Sequence, residues 1–341
     1  MKAMQLTDGS LHVGEVPMPE PAADEARVRI SASGVCHSDL HLARGDWLGV
    51  PPMGTLGHEA IGVVDALGPG AERFVAVGDR VILGLGGMGG GYWCGACDYC
   101  LSGRPRLCAQ AIPVMGTFAE AFCVWAPALV RIPDQIGDEE APLACGGLTA
   151  FGAVRKLAAH GVHPGRTIAV IGAAGGLGHY AVQIANAFGY RVVGVDVGEE
   201  RLEFVRSLGA THVVSADDAA GFAATLGGVD AALVFAARLS GFELGLAMLR
   251  RGGLFVAVGI PPSSDGNLQL SPWQLFLTDP TIIYSAVGTV QDMRELVDLT
   301  AAGGVTTHVS RVGALSDVPT ILDELEAGKY LGRAVITDLA H

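Results

Sequence analysis

The 341-residue chain has seven cysteines, and four of them, Cys94, Cys97, Cys100 and Cys108, follow the pattern C-x2-C-x2-C-x7-C. Four soft thiolates this close can surround one tetrahedral zinc, which ties down a loop without leaving a position for substrate. An iron–sulfur cluster also takes four thiolates, but nothing else in the chain points to electron transfer, so structural zinc is the expectation. A second set is scattered. Cys36-His-Ser-Asp39 lies in one loop, Gly57-His58-Glu59 in another, and Cys145-Gly-Gly much farther on. Two thiolates and one imidazole would leave the fourth position of a zinc to water or a substrate oxygen, as a catalytic site requires. Each residue also has a plainer reading, since a lone buried Cys usually serves as a small hydrophobe. Spacing alone does not join them.

These residues need elements to hold them. Up to about residue 145, short apolar runs such as Arg27-Val-Arg-Ile30 and Arg80-Val-Ile-Leu83 are cut by Gly and Pro, which predicts an antiparallel β domain with long loops. From about residue 149 to 287, strand-like runs alternate with helix-length segments, the pattern of a parallel sheet covered on both faces. Helices are expected over 180–188 and 199–208 here, and over 292–302 and 318–327 in the tail. Thr167-Ile-Ala-Val-Ile171 runs into Gly172-Ala-Ala-Gly175-Gly176-Leu177-Gly178 and then a helix. Glycines there permit a sharp turn and close approach of a pyrophosphate, which the helix N-terminus then faces with free N–H groups. Asp196, at the end of the next strand, can accept from the adenosine ribose hydroxyls and would repel a 2′-phosphate, so NAD is expected over NADP. Arg201 either flanks that ribose or is a solvated helix residue.

Composition narrows the classes. With 22 Lys+Arg against 35 Asp+Glu, a formal charge of −13, there is no basic surplus for a nucleic-acid partner. A 50% hydrophobic and 17% charged chain is no disordered polymer, and its length suits two domains. The opening MKAMQLTDGS lacks the apolar stretch of a signal peptide, and no run approaches the roughly 20 apolar residues of a spanning helix. A soluble cytoplasmic protein with reduced thiols and no membrane partner is expected.

Taken in order, Gly34-Val-Cys36-His-Ser-Asp-Leu-His41, Gly45-Asp-Trp47, Gly57-His58-Glu59-Ala60, the four-Cys segment, Cys145-Gly-Gly-Leu-Thr149 and Gly172 to His179 resemble the zinc-dependent medium-chain alcohol dehydrogenases, most closely their yeast and bacterial tetrameric branch. The resemblance implies an α/β fold. A Rossmann-type doubly wound parallel sheet would occupy 149–287, and a GroES-like β-barrel catalytic domain would take 1–148 with 288–341 and carry a zinc lobe at about 94–108. It implies that Cys36, His58 and Cys145 hold a catalytic zinc, with Glu59 behind it as an occasional ligand and Asp39 orienting His58. Such a zinc makes an alcohol acidic enough for hydride to pass to NAD. Ser38 would accept the proton, and a relay through the nicotinamide ribose would end on His41, whose plainer reading is an exposed loop histidine. Thr149, Leu177, Val258 and Val287 would line the cofactor and Arg333 would pair with its pyrophosphate. Two zinc ions per chain, NAD, a small alcohol, aldehyde or ketone, and a homotetramer complete the expectation. The competing readings are a zinc- and nucleotide-binding protein without turnover, and a zinc-free quinone reductase of the same superfamily.

The chain departs from that pattern beside the zinc lobe. The segment Leu83-Gly-Leu85-Gly-Gly-Met-Gly-Gly-Gly-Tyr-Trp93 is long, with Leu85 where ethanol-type enzymes place a second pocket Trp, and the stretch 109–116 is short. With Trp47 as one remaining wall, a wider pocket for bulkier or aromatic substrates is expected. The glycine run from Gly84 to Gly91 reads as a loop, Cys123 as a buried strand residue, and His160, His163 and His179 as surface or turn residues.

Overall fold

Glu25–Val35 carries most of the first unit's organisation. Ala26, Val28 and Ile30 face inward while Arg27 and Arg29 face out, the alternation of a half-buried strand. It pairs antiparallel with Ala60–Leu67, with Ala121–Trp125 over its first half, and with Arg333–Asp338 over its last three residues. Beyond Ala60–Leu67 the sheet continues through Arg80–Leu83 to Leu129–Arg131; on the other side Arg333–Asp338 takes Val309–Ala314 as a parallel neighbour. The C-terminal segment thus completes a sheet that the N-terminal residues begin. Its core is packed with Val28, Ile30, Val64, Val81, Leu129 and Ile336.

The computed structural model describes residues 1–7, 9–47, 49–50, 54–84 and 87–341. Two compact units emerge, Met1–Leu148 with Val287–His341, and Thr149–Ala286. In the second, six parallel strands lie in the order His212–Ser215, Arg191–Asp196, Thr167–Ile171, Val229–Val234, Leu249–Ala257, Thr281–Tyr284. This is the doubly wound order, with its direction reversing between Thr167–Ile171 and Val229–Val234, where such sheets bind nucleotides. Val229–Val234 is buried at every residue, as expected of a strand covered on both faces. The helices Gly178–Ala187, Glu199–Ser207, Val290–Ala301 and Val318–Glu326 lie within two residues of their expected limits. No helix among the described residues is long and apolar enough to cross a membrane.

Two expectations are corrected. The glycine run read as a loop ends in a strand, Gly87–Tyr92, paired antiparallel with Ile112–Val114 in the short stretch after Cys108. Glycine has little strand propensity, so the backbone pairing leaves no mark in the side-chain pattern. His179 is fully buried rather than at the surface. Its ring lies 3.9 Å from that of Tyr180, and Nδ1 is 3.1 Å from the Gly175 carbonyl oxygen. His160 and His163 are exposed, and Cys123 is half-buried on Ala121–Trp125.

Candidate active site and metal centres

The His37–Arg44 helix begins at Cys36, whose extended backbone (φ −123°, ψ 153°) makes it the N-cap. Asp39, three residues on, is wholly buried. Its Oδ2 accepts from the Cys36 N–H at 3.0 Å, while Oδ1 accepts from the Gly57 N–H at 2.9 Å and lies 3.1 Å from His58 Nδ1. One carboxylate therefore ties the helix start to the next loop and directs the other imidazole nitrogen away from itself. That nitrogen, His58 Nε2, is buried with no hydrogen-bond partner. Ligand atoms of Cys36, His58, Glu59 and Cys145 all lie within 4.8 Å of one another.

Glu59 sits between this cluster and Arg333. Its Oε1 accepts from the Gly146 N–H at 3.2 Å, and its Oε2 accepts from Arg333 Nη2, which also donates to the Val35 carbonyl at 2.9 Å. Burial pushes the Glu59 carboxyl up to about 7, even against the Arg333 charge. The hydrogen bond from Cys145 holds the Cys36 thiol well below its ordinary value, and the same contact together with burial drives Cys145 well above. Burial opposes a charge on His58, but the Asp39 carboxylate and Cys145 outweigh it and hold its pKa well above the ordinary range. Cys36 is thus shifted toward the thiolate, while His58, Glu59 and Cys145 are each shifted toward holding a proton. Two sulfurs, an unpartnered imidazole nitrogen and a carboxylate behind them suit a zinc ion.

The second cluster is assembled locally. Cys94, Cys97, Cys100 and Cys108 also bring their sulfurs within 4.8 Å of one another, with Cys97 Sγ 3.5 Å and Cys94 Sγ 3.9 Å from Cys100. The segment lies between the paired strands Gly87–Tyr92 and Ile112–Val114, which brace its two ends. Backbone N–H groups of Ala96 and Cys97 lower Cys94 to about 6, while desolvation and the neighbouring thiols raise Cys100 to about 12. Four sulfurs, the only candidate ligands of this cluster among the described residues, fit a closed structural zinc site.

In the second unit, the turn after Thr167–Ile171 leads through half-buried Gly175, Gly176 and Leu177 into Gly178–Ala187. A Cβ on Gly178 would stand 2.0 Å from the Gly172 carbonyl oxygen, so only glycine allows the helix to begin this close to the strand. Asp196 is buried, with Oδ2 accepting from the Ala174 N–H at 2.7 Å and Oδ1 from the Val197 N–H at 2.9 Å; Arg201 Nη1 lies 3.9 Å from Oδ1. The glycine turn, the acid and the arginine thus meet at one end of the sheet. Thr149 and Val258 are buried, and the Val258 carbonyl accepts from the Tyr284 hydroxyl at 3.0 Å.

The remaining residues divide by unit. Within the first, Arg333, expected at the pyrophosphate, is buried and donates through Nη2 to Glu59, and Val287 adopts a left-handed backbone (φ 51°) that is rare for a β-branched residue. Ser38 is half-buried on the same helix as His41. His41 is no exposed loop histidine; it is 7% exposed and helical, with its ring centroid 5.0 Å from that of Trp47. Leu85 lies outside the described residues. The sequence reading missed Asp46 beside His41 and the buried contact of Glu140 with Thr307. The first had a signal in Gly45-Asp-Trp47; the second joins distant segments and had none.

A doubly wound sheet with a glycine turn and a ribose-type acid, carried on one chain with a mixed sulfur, nitrogen and carboxylate ligand set, defines a metal-binding dehydrogenase. Residues 22–134 match the alcohol dehydrogenase GroES-like domain and residues 176–302 the zinc-binding dehydrogenase family. An alcohol dehydrogenase of Geobacillus stearothermophilus is 40% identical over 339 residues, covering 96% of each chain. The alcohol dehydrogenase of the hyperthermophilic archaeon Aeropyrum pernix superposes with a TM-score of 0.88 at 32% identity, covering 99% of this chain and 100% of that one. The acetophenone reductase of Geotrichum candidum, solved in complex with NAD, gives 0.84 at 30% identity over 99% of this chain and 97% of its own. The chain belongs to the zinc-binding alcohol dehydrogenases.

Proposed function

We propose that the protein interconverts alcohols with aldehydes or ketones, with zinc held by Cys36, His58 and Cys145 and NAD held at the turn from Gly172 to Gly178. The convergence of the Cys36, His58, Glu59 and Cys145 ligand atoms within 4.8 Å, around a buried and unpartnered His58 Nε2, carries this reading. Zinc at that position supplies a Lewis acid that makes an alcohol hydroxyl acidic near neutral pH, and NAD supplies the hydride acceptor. Asp39 holds the His58 ring, and the Arg333 guanidinium holds Glu59 behind the ligand set. Ser38 Oγ accepts the departing alcohol proton and His41 Nε2 receives it in turn. Asp196 accepts from the adenosine ribose, with Arg201 beside it, and Thr149, Val258 and Val287 contact the cofactor. A second zinc on Cys94, Cys97, Cys100 and Cys108 fixes the lobe.

The substrate is a bulkier or aromatic alcohol or ketone, with Trp47 as one wall. The long segment around Leu85 and the likeness to a protein described as an acetophenone reductase support this choice. NADH formation on ethanol, benzyl alcohol and 1-phenylethanol, with zinc quantified per chain, tests both levels. No NADH on any alcohol overturns the enzymatic reading, and a strong preference for ethanol overturns the substrate class alone. Exposed Trp273, Phe276, Ile282 and Tyr284 on Pro272–Thr278 and the edge strand Thr281–Tyr284 support a homo-oligomer, in which we include the tetramer of the related branch; light scattering counts the subunits. Seven unbridged cysteines favour a reducing compartment, the cytoplasm.

A further inference from the structure

The C-terminal end of the His37–Arg44 helix is closed twice onto the same residue. Gly45 adopts a left-handed backbone (φ 69°), where a side chain would be strained, and so turns the chain out of the helix. Through that turn the Asp46 N–H donates to the His41 carbonyl at 3.0 Å, and the Asp46 Oδ2 lies 2.8 Å from His41 Nδ1. The imidazole is 8% exposed and flanked by the Trp47 and His37 rings, with centroids at 5.0 and 6.2 Å, whereas the Asp46 side chain is 30% exposed. An ionised carboxylate can only accept, so His41 Nδ1 carries the proton in this contact, and the neutral ring then presents a bare lone pair at Nε2. His41 Nε2 is buried and has no hydrogen-bond partner.

We propose that Asp46 is a positioning residue for proton transfer: its carboxylate fixes the His41 tautomer in which Nε2 is the base and stops the ring from turning that nitrogen away. This rests on the assignment of His41 as proton acceptor made above. When an alcohol is oxidised, its O–H bond breaks, the proton passes by way of Ser38 to form an N–H bond at His41 Nε2, and two electrons leave with the hydride to NAD. The imidazolium so formed faces the Asp46 carboxylate, and the proton later leaves Nε2 back by way of half-buried Ser38 to solvent. Without that carboxylate the ring can hold its proton at Nε2, where it can accept nothing.

The test uses the zinc- and NAD-loaded enzyme with Asp46→Asn, Asp46→Glu, His41→Ala and the double variant Asp46→Asn/His41→Ala. Asp46→Asn should lower the single-turnover rate of NADH formation by roughly tenfold or more, with KM for alcohol and NAD little changed. Asp46→Glu should restore part of the rate, and the double variant should be no slower than His41→Ala. Nitrogen-15 spectra of histidine-labelled enzyme, with the His41 signal assigned by its loss in His41→Ala, should show Nδ1 protonated and Nε2 bare, and Asp46→Asn should move the proton toward Nε2. A slow His41→Ala enzyme beside an Asp46→Asn enzyme of unchanged rate and tautomer overturns the Asp46 role while sparing His41. An unchanged rate in His41→Ala overturns the His41 assignment and the Asp46 role with it. Should Asp46→Asn fail to fold, the native enzyme decides, because an Nε2-protonated His41 there refutes the proposal.

Discussion

Cys94, Cys97, Cys100 and Cys108 come from one short segment, whereas Cys36, His58, Glu59 and Cys145 are gathered from a helix start, a strand entry and the end of a turn far along the chain. The first cluster is mostly half-exposed, uniform in its donors, and braced by a glycine-rich strand pair. The second is largely buried, mixed, and held by Asp39 on one side and Arg333 on the other. A local cluster draws its shape from the ion it binds, because little else fixes a short loop. A cluster assembled by the fold has its donors oriented beforehand, and such a site can leave a coordination position for chemistry.

That contrast predicts different failures. Cys36→Ser should lower turnover by about a thousandfold or more while fluorescence titration still shows NAD binding, and zinc should fall from two ions to one per chain. Retained turnover refutes the metal assignment. Cys100→Ala should also remove one zinc, but its cost should fall on stability, about 4 kcal/mol or more, with molecules that stay folded turning over nearly as before. Thermal inactivation rates measured beside active-site titration separate these effects, and unaltered stability would remove the distinction between the clusters.

The smallest effect probes how far the buried cluster leans on distant contacts. Glu140, in the turn Asp138–Ala144 that leads into Cys145, accepts from the Thr307 N–H at 3.2 Å and from its hydroxyl. Burial raises the Glu140 carboxyl above its ordinary value, with those hydrogen bonds opposing. The folded state therefore holds this proton more tightly than the unfolded chain, so the stability it contributes is complete below the ordinary Glu range and is lost as pH rises through the folded value. Glu140→Gln cannot ionise and should gain in melting temperature relative to the native chain as pH rises from about 4, the ordinary Glu range, through the raised folded value. A difference that stays constant across that window means that the carboxyl titrates alike in both states.

What could be read from the residues followed the range of the interactions. The four-Cys lobe was visible because its spacing lies within one segment, and the parallel sheet because alternating apolar runs report strands buried on both faces. Cys36, His58 and Cys145 became a set only through the order of whole motifs, since nothing in one loop records which other loop it will meet. The Asp46 contact to His41 depends on the left-handed Gly45, a backbone angle that the letters Gly-Asp-Trp permit without requiring. The strand at Gly87–Tyr92 and the burial of His179 were hidden for related reasons: one pairs through backbone alone, and the other is enclosed by Tyr180 and Phe204.

Asp196 has a further consequence for cofactor choice. Both of its oxygens are already engaged by backbone N–H groups, of Ala174 and of Val197. With the ribose placed there as proposed, a side chain so anchored would have little rotamer freedom left to lose, and an incoming diol would meet acceptors whose direction is set beforehand. The same anchoring removes the escape that a mobile acid would have from a 2′-phosphate. Discrimination between the two nucleotides would then belong to the empty protein, and relaxing it would require loosening the hold of two main-chain amides as well as changing one side chain.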